Sequence, residues 1–329
     1  MPISNRQIVL DASVNTSNIT SGLLNPEQSR EFIRQAFEKT ALGGVIRRVM
    51  RTSRTGEIDK IGIAGRILRK KVENIDATSS GGAPVPDAAT GQITGYRAKP
   101  NYSSVPYACT AVRLPWEVTE EALRENIEGE SLEATISALM ATQVGVDLED
   151  LLLNGDSATA SGNADYDFLK INDGWVKQIL AGGHVSDATD NTDLLSIFYA
   201  AVAALPNKYN NGKLRWLVSP HMKQNWEQYL LNQAVTAGGN VPDSLYSAPV
   251  SIPMLSVPSL PDDKILLTDP QNLVDVNTYG MKIRKTTEGE RAIMEDKRFY
   301  VIHFDLDAVV EELDATAIIT NIGAVTPTP

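Results

Sequence analysis

The side chains of this 329-residue chain that could do chemistry are few and scattered. His184 lies in a glycine-rich loop, and His221 falls in the first turn of an expected helix. His303 alternates with Val301 and Asp305 on the less apolar face of an expected strand. Each reads as structural rather than catalytic. The single cysteine, Cys109, excludes an intrachain disulfide and a cysteine-built zinc site, and with no histidine near it in sequence it reads as a small packing residue. Asp305, Asp307, Glu311, Glu312 and Asp314 supply oxygen ligands and form the best metal candidate. They lack the glycine and the spacing of a calcium loop, and extended chain would send them to both faces, so an acidic ridge is the expected role. No P-loop, dinucleotide-binding glycine motif, paired-histidine metal motif or nucleophile elbow occurs. Gly155-Asp156-Ser157 is a helix stop, not a phosphate cradle. The expectation is a protein with no active site, no cofactor and no metal.

Charge is more informative than motif. The net charge of −11 argues against nucleic-acid binding over the whole surface. Arg47 to Lys71 nevertheless carries nine basic and two acidic residues: Arg47, Arg48, Arg51, Arg54, Lys60, Arg66, Arg69, Lys70 and Lys71 against Glu57 and Asp59. Glu125 to Leu169 holds ten carboxylates, Glu133, Asp147, Glu149 and Asp150 among them, and no Lys or Arg. The two stretches either pair, within a subunit or between copies, or stay as separate solvated faces. Only Tyr96 and Tyr102 follow the basic run as stacking groups, which is weak for single-strand recognition.

The elements that must hold these residues follow from periodicity. Residues 1–24 read as an extended polar arm with no secretory signal, and Asn25-Pro26 opens a helix that Gly43-Gly44 ends. Ile61, Ile63 and Ile67 alternate with polar or small residues, and Val105, Tyr107, Cys109 and Ala111 repeat at the same period, so a long two-stranded finger is expected. Between its limbs, Glu73 to Ser104 has only five bulky apolar side chains. Such a segment cannot offset roughly 1–2 kcal/mol per residue of backbone entropy, so something outside the subunit must hold it. A helix from Ser131 to Asn154 steps its apolar residues by three or four and is roughly 36 Å long. Asp147, Glu149 and Asp150 sit at its C-terminal end, where the macrodipole disfavours anions and a cationic partner would relieve the penalty. Helices over 173–180, 192–205 and from Ser219-Pro220 follow, and strands are expected over 214–218, 249–255, 264–267, 273–276, 281–284, 299–306 and 315–322. No stretch approaches the ~18–20 apolar residues that span a membrane.

This order of parts resembles the tailed-bacteriophage major capsid protein fold of the Hong Kong phage type. The sharpest pieces are Val146-Asp-Leu-Glu-Asp-Leu-Leu-Leu-Asn-Gly-Asp156 and Lys213-Leu-Arg-Trp-Leu-Val-Ser-Pro220. Ser247-Ala-Pro-Val250 and Leu267-Thr-Asp-Pro270 are similar to recurrent stretches of the later domain. The resemblance implies an α+β fold: an N-terminal arm and helix (1–45), a β-hairpin E-loop (46–115), a peripheral domain with a spine helix (116–190), a mixed α/β axial domain (191–298), and return strands with a tail (299–329). It implies no enzyme activity but a subunit whose hexamers and pentamers close into an icosahedral shell around double-stranded DNA, in a virion assembled in the host cytoplasm. Partners so implied are the chain itself, scaffolding, portal and decoration proteins, and packaged DNA by non-specific proximity; no membrane is involved. In such proteins the E-loop lies across a neighbour near its spine helix. The expected contact therefore sets Arg47, Arg48, Arg51, Arg54, Arg66, Arg69, Lys70 and Lys71 against Glu133, Asp147, Glu149 and Asp150. Some members crosslink a finger lysine to a neighbour's asparagine; Lys60, Lys70 and Lys71 are available, but no acceptor is matched. The alternatives are an encapsulin-like shell around cargo, an oligomeric cytoplasmic enzyme with a lid over residues 73–104, and a small-ring binding protein using its acidic face.

Overall fold

A computed structural model describes residues 13–14, 41–62, 101–125, 132–189, 193–237 and 248–323. The helix expected after Asn25 and the distal part of the finger lie outside them. Two compact units separate: Met1–Arg54 with Tyr107–Pro329, and Thr55–Pro106.

The smaller unit is built on β3 (Thr55–Gly62) and β4 (Asn101–Ala108), which pair as a two-stranded sheet. It is narrower than the expected finger of 46–115, because the flanking residues belong to the larger unit's sheet. The expected facing of β3 is also corrected. Ile58 is the buried residue, while Thr55, Glu57, Asp59 and Ile61 are exposed, Ile61 at 71%.

The larger unit holds two sheets. The first runs in the order β1 (Ser13–Val14), β5 (Thr110–Thr119), β12 (Lys297–Val310), β10 (Leu273–Asn277), β2 (Arg47–Met50), with β11 (Lys282–Thr286) also paired to β12. β12 is the organising strand. Its first half lies between β5 and β11, with His303 opposite both Arg113 and Lys282, and its last four residues pair with β10. Tyr300, Ile302, Phe304 and Leu306 point to one face, as their alternation predicts. The strand outlasts the expected 299–306 because Asp305 to Val310 are all buried, which erases the alternation that marks a half-exposed strand.

α1 (Glu120–Glu125) follows β5, and α2 (Leu132–Asn154) packs its apolar stripe on the Tyr300 face. Leu132, Ile136, Val144 and Leu151 to Leu153 join Trp116, Tyr300 and Ile302 in one core, where the Trp116 and Tyr300 rings stack at 5.2 Å. Asn154-Gly155 stops the helix as expected. Here glycine answers a close approach, since a Cβ on Gly155 would lie 2.4 Å from the Asn172 carbonyl oxygen.

A short α3 (Tyr166–Leu169) and α4 (Trp175–Gly182) lead to the second sheet. Its order is β6 (His184–Asp187), β13 (Ala317–Thr320), β9 (Ile265–Thr268), β7 (Arg215–Val218), β8 (Met254–Ser256). α5 (Leu194–Ala204) and α6 (Pro220–Ala237) contribute to its core, where Phe198 meets Trp216 and Trp226 edge-on at 4.8 and 5.1 Å. Two expectations are corrected here. The loop holding His184 is partly strand, stabilised by parallel pairing with β13. The strand expected from Pro249 is delayed to Met254 by a 3-10 turn, in which Val250 and Ser251 take positive φ.

Candidate assembly surface

The carboxylates of α2 are already partnered within the chain. Glu133 reaches over the sheet, where its Oε2 accepts from Arg298 Nη1 at 2.5 Å and its Oε1 pairs with Lys285. Burial works against ionisation there, but hydrogen bonds led by that of Lys285 hold the carboxyl below its usual range. Asp147 accepts from Gln143 Nε2, and Asp150 from Asn154 Nδ2, each at 2.7 Å. Burial pushes both carboxyls up. Glu149 is 6% exposed, and its Oε2 accepts from the Leu42 N–H at 2.8 Å. Neutral donors therefore stand against the C-terminal anions of the helix: Gln143, Asn154 and the Leu42 N–H. Glu149 is inaccessible to a partner, which corrects its expected role.

The basic run divides in the same way. Arg47 and Arg48 lie in β2, paired parallel with β10, and not in the finger. Arg47 Nη2 is 2.7 Å from Glu311 Oε2, and Arg48 Nε is 3.2 Å from Asp275 Oδ2. Arg51 holds its guanidinium 6.0 Å above the Tyr107 ring. Arg54 has an exposed side chain, and its carbonyl accepts from the Cys109 N–H at 2.7 Å. Arg66, Arg69, Lys70 and Lys71 lie outside the described residues.

The acidic cluster near the C-terminus is dispersed rather than convergent. Asp305 is 1% exposed and accepts from the Thr278 and Tyr279 N–H groups at 2.8 and 3.3 Å and from the Thr278 hydroxyl. Asp307 accepts from the Ala108 N–H at 2.7 Å. Asp314 faces His184, Lys208 and the Tyr209 hydroxyl. Among the described residues no group of three or more His, Cys, Asp and Glu is arranged to hold a metal. Burial pushes Asp275 and Asp307 up to about 6. The buried Cys109 thiol donates to the Val276 carbonyl at 3.4 Å. Burial first, then Asp305, Asp307 and Asp275, push that thiol up to about 11, so it is a poor nucleophile at neutral pH. His221 Nδ1 meets Asp262 at the surface, far in sequence from either of the other histidines.

Among the described residues, a group of cations without ion pairs lies on the face of the first sheet opposite α2. Residues directly opposite across an antiparallel pair share a face. One row across the three strands is therefore Arg113, His303 and Lys282, and the next like-facing row is Pro115, Val301 and Arg284. Arg113, Pro115, Lys282 and Arg284 are exposed, and Val301 and His303 are half-buried. No ion pair engages Arg113, Lys282 or Arg284 among the described residues, although Lys282 lies 6.0 Å from the Tyr279 ring. Sequence reasoning missed this group because Arg113 is 169 positions from Lys282 and only the register joins them.

No protein-family model matches the chain. It is 25% identical over 333 residues to the putative prophage capsid protein YqbE of Bacillus subtilis (strain 168), covering 97% of this chain and 99% of that protein. Among solved structures it is similar to one of Microbacterium phage Oxtober96, with a TM-score of 0.61 and 14% identity over 93% of this chain and 98% of that one. An encapsulin complex from Synechococcus elongatus PCC 7942 is similar at a TM-score of 0.58 and 11% identity, covering 96% of this chain and 98% of that one. At these identities the structural likenesses establish the fold.

Proposed function

We propose that this chain, which has the Hong Kong phage-type major capsid fold, is the shell-forming major capsid protein of a tailed phage or prophage. It is a structural subunit of the virion, not an enzyme. Copies associate with one another as hexamers and pentamers that close an icosahedral shell around double-stranded DNA. One observation carries the reading: the correspondence with a prophage capsid protein runs over 97% of this chain and 99% of that protein. The dispersal of the titratable groups agrees with it.

Within that reading, residues 1–45 are the arm and its helix, 46–115 the E-loop segment, whose separate unit is Thr55–Pro106 and whose root strand β2 pairs with β10, 116–190 and 299–329 the peripheral domain, and 191–298 the axial domain. α2 is the spine helix. The distal cations Arg66, Arg69, Lys70 and Lys71 contact a neighbouring copy, and scaffolding, portal and decoration proteins are further partners. Assembly takes place in the host cytoplasm.

Size-exclusion chromatography of the expressed chain, followed by negative-stain microscopy, tests this. Closed particles with five- and sixfold capsomers are expected, and a stable monomer overturns it. The encapsulin likeness supports a second reading, a shell around protein cargo. Particles purified from lysogens or infected cells that contain a cargo protein and no DNA would favour that one.

A further inference from the structure

We propose that Asn211 is a site of self-modification, which the folded subunit converts to an aspartyl or isoaspartyl residue with water as the only co-reactant, while Asn154 is protected. The inference goes beyond the shell reading and does not depend on it.

An asparagine followed by glycine is open to this reaction because no side chain stands beside the attacking backbone nitrogen. The Gly212 nitrogen bonds to Asn211 Cγ, the Cγ–Nδ2 bond breaks, and ammonia leaves with the amide proton. Water then opens the cyclic imide at either carbonyl, so asparagine and water give a carboxylate and ammonia.

The chain has two such pairs, Asn154-Gly155 and Asn211-Gly212, and the fold treats them oppositely. Asn154 Nδ2 donates to Asp150 Oδ1 at 2.7 Å and to the Ser259 carbonyl at 2.6 Å. The buried Gly155 N–H donates to the Leu151 carbonyl at 3.0 Å. Leaving group and nucleophile are both committed, and attack there requires the helix end to open first. Asn211, Gly212 and Lys213 are exposed, and among the described residues neither the Gly212 N–H nor Asn211 Nδ2 makes a hydrogen bond. A Cβ on Gly212 would meet nothing within 4 Å, so the ring has room to close. Asn211 Oδ1 accepts from the Lys213 N–H at 3.0 Å. That bond folds the side chain back over the Gly212 peptide and places a donor where negative charge develops during attack. Gly212 has a φ of +81°, which favours glycine. The turn's need for glycine and the reaction's need for an unhindered nitrogen therefore coincide. The product adds a carboxylate to the cleft that Asn211 lines with Arg47, Asp269 and Glu311.

Peptide mapping by mass spectrometry tests the proposal on the full chain, incubated at mildly alkaline pH with and without urea. In the folded subunit Asn211 should convert roughly a hundredfold faster than Asn154, the protection given by the hydrogen bonds that must open. In urea the two rates should converge. Equal rates in the folded chain, or an unmodified Asn211, would overturn the inference. So would a hundredfold difference that persists in urea, because flanking sequence and not the fold would then be its cause. In heavy-oxygen water the product at 211 should carry the label and appear in both aspartyl and isoaspartyl forms; an aspartyl product alone overturns the cyclic route. Asn211→Gln, whose longer side chain closes a larger ring more slowly, should abolish the change at 211 and leave the rate at Asn154 as in the native chain. A Gln variant that converts as fast as the native chain would also refute the route.

Discussion

Lowering the pH from 7 to 5 should strengthen the unassembled subunit against urea, the opposite of ordinary acid destabilisation. Asp275 and Asp307 are 0% and 9% exposed, and burial raises both carboxyls to about 6. In the unfolded chain they titrate near 3.9. Between those values the folded state binds more protons than the unfolded state, so stability is greatest below the unfolded value and is lost as pH rises through about 6. From pH 7 to pH 5 each group contributes about 1.3 kcal/mol, roughly 2.5 kcal/mol for the pair. Asp147 and Asp150, also raised by burial, add in the same direction. Glu120 and Glu133 are held below the usual range and lose their contribution only at lower pH, outside this window. Urea titrations at fixed ionic strength measure the difference. The double variant Asp275→Asn, Asp307→Asn should flatten it, because Asn at 307 can still accept from the Ala108 N–H. A native midpoint that is unchanged or lower at pH 5, or a double variant that keeps the gain, would refute the reasoning.

Two further predictions concern the spine. Glu149→Ala leaves the Leu42 N–H without its 2.8 Å acceptor and should cost about 1–3 kcal/mol in the unassembled subunit, with Glu149→Gln losing less. Unchanged unfolding would return Glu149 to the surface role expected from sequence. Gly155→Ala places a Cβ 2.4 Å from the Asn172 oxygen and 2.7 Å from that of Leu151, and should cost about 1–3 kcal/mol by overpacking against backbone. An Ala variant that melts with the native protein would show that the helix end can move aside.

Much of the architecture was legible in local pattern. The step of three or four along Leu132 to Leu152 marked α2, Asn154-Gly155 marked its end, and Tyr300 to Leu306 marked the inward face of β12. Patterns failed where burial is not periodic or where a segment is too short to show a period. β12 ran on to Val310 because both its faces are covered, and the four residues of β6 are held by β13 rather than by their own propensity. The facing of β3 was misread because Ile61 looks like core in a list of residue types, yet it is exposed while Ile58 is not.

The chemistry separates along the same line. Residue types alone showed one cysteine, three scattered histidines and no phosphate or nucleophile motif, because those motifs are short-range and need no partner to be recognised. Which charges are spent and which are left was decided by the tertiary fold. Glu133 meets Arg298 from 165 positions away, and Leu42 meets Glu149 across 107. Arg113, Lys282 and Arg284 share a face only through the register of three strands. Local periodicity sets where a side chain points on its own element, but whether it finds an opposite charge depends on long-range pairing, which a charge count along the chain does not contain.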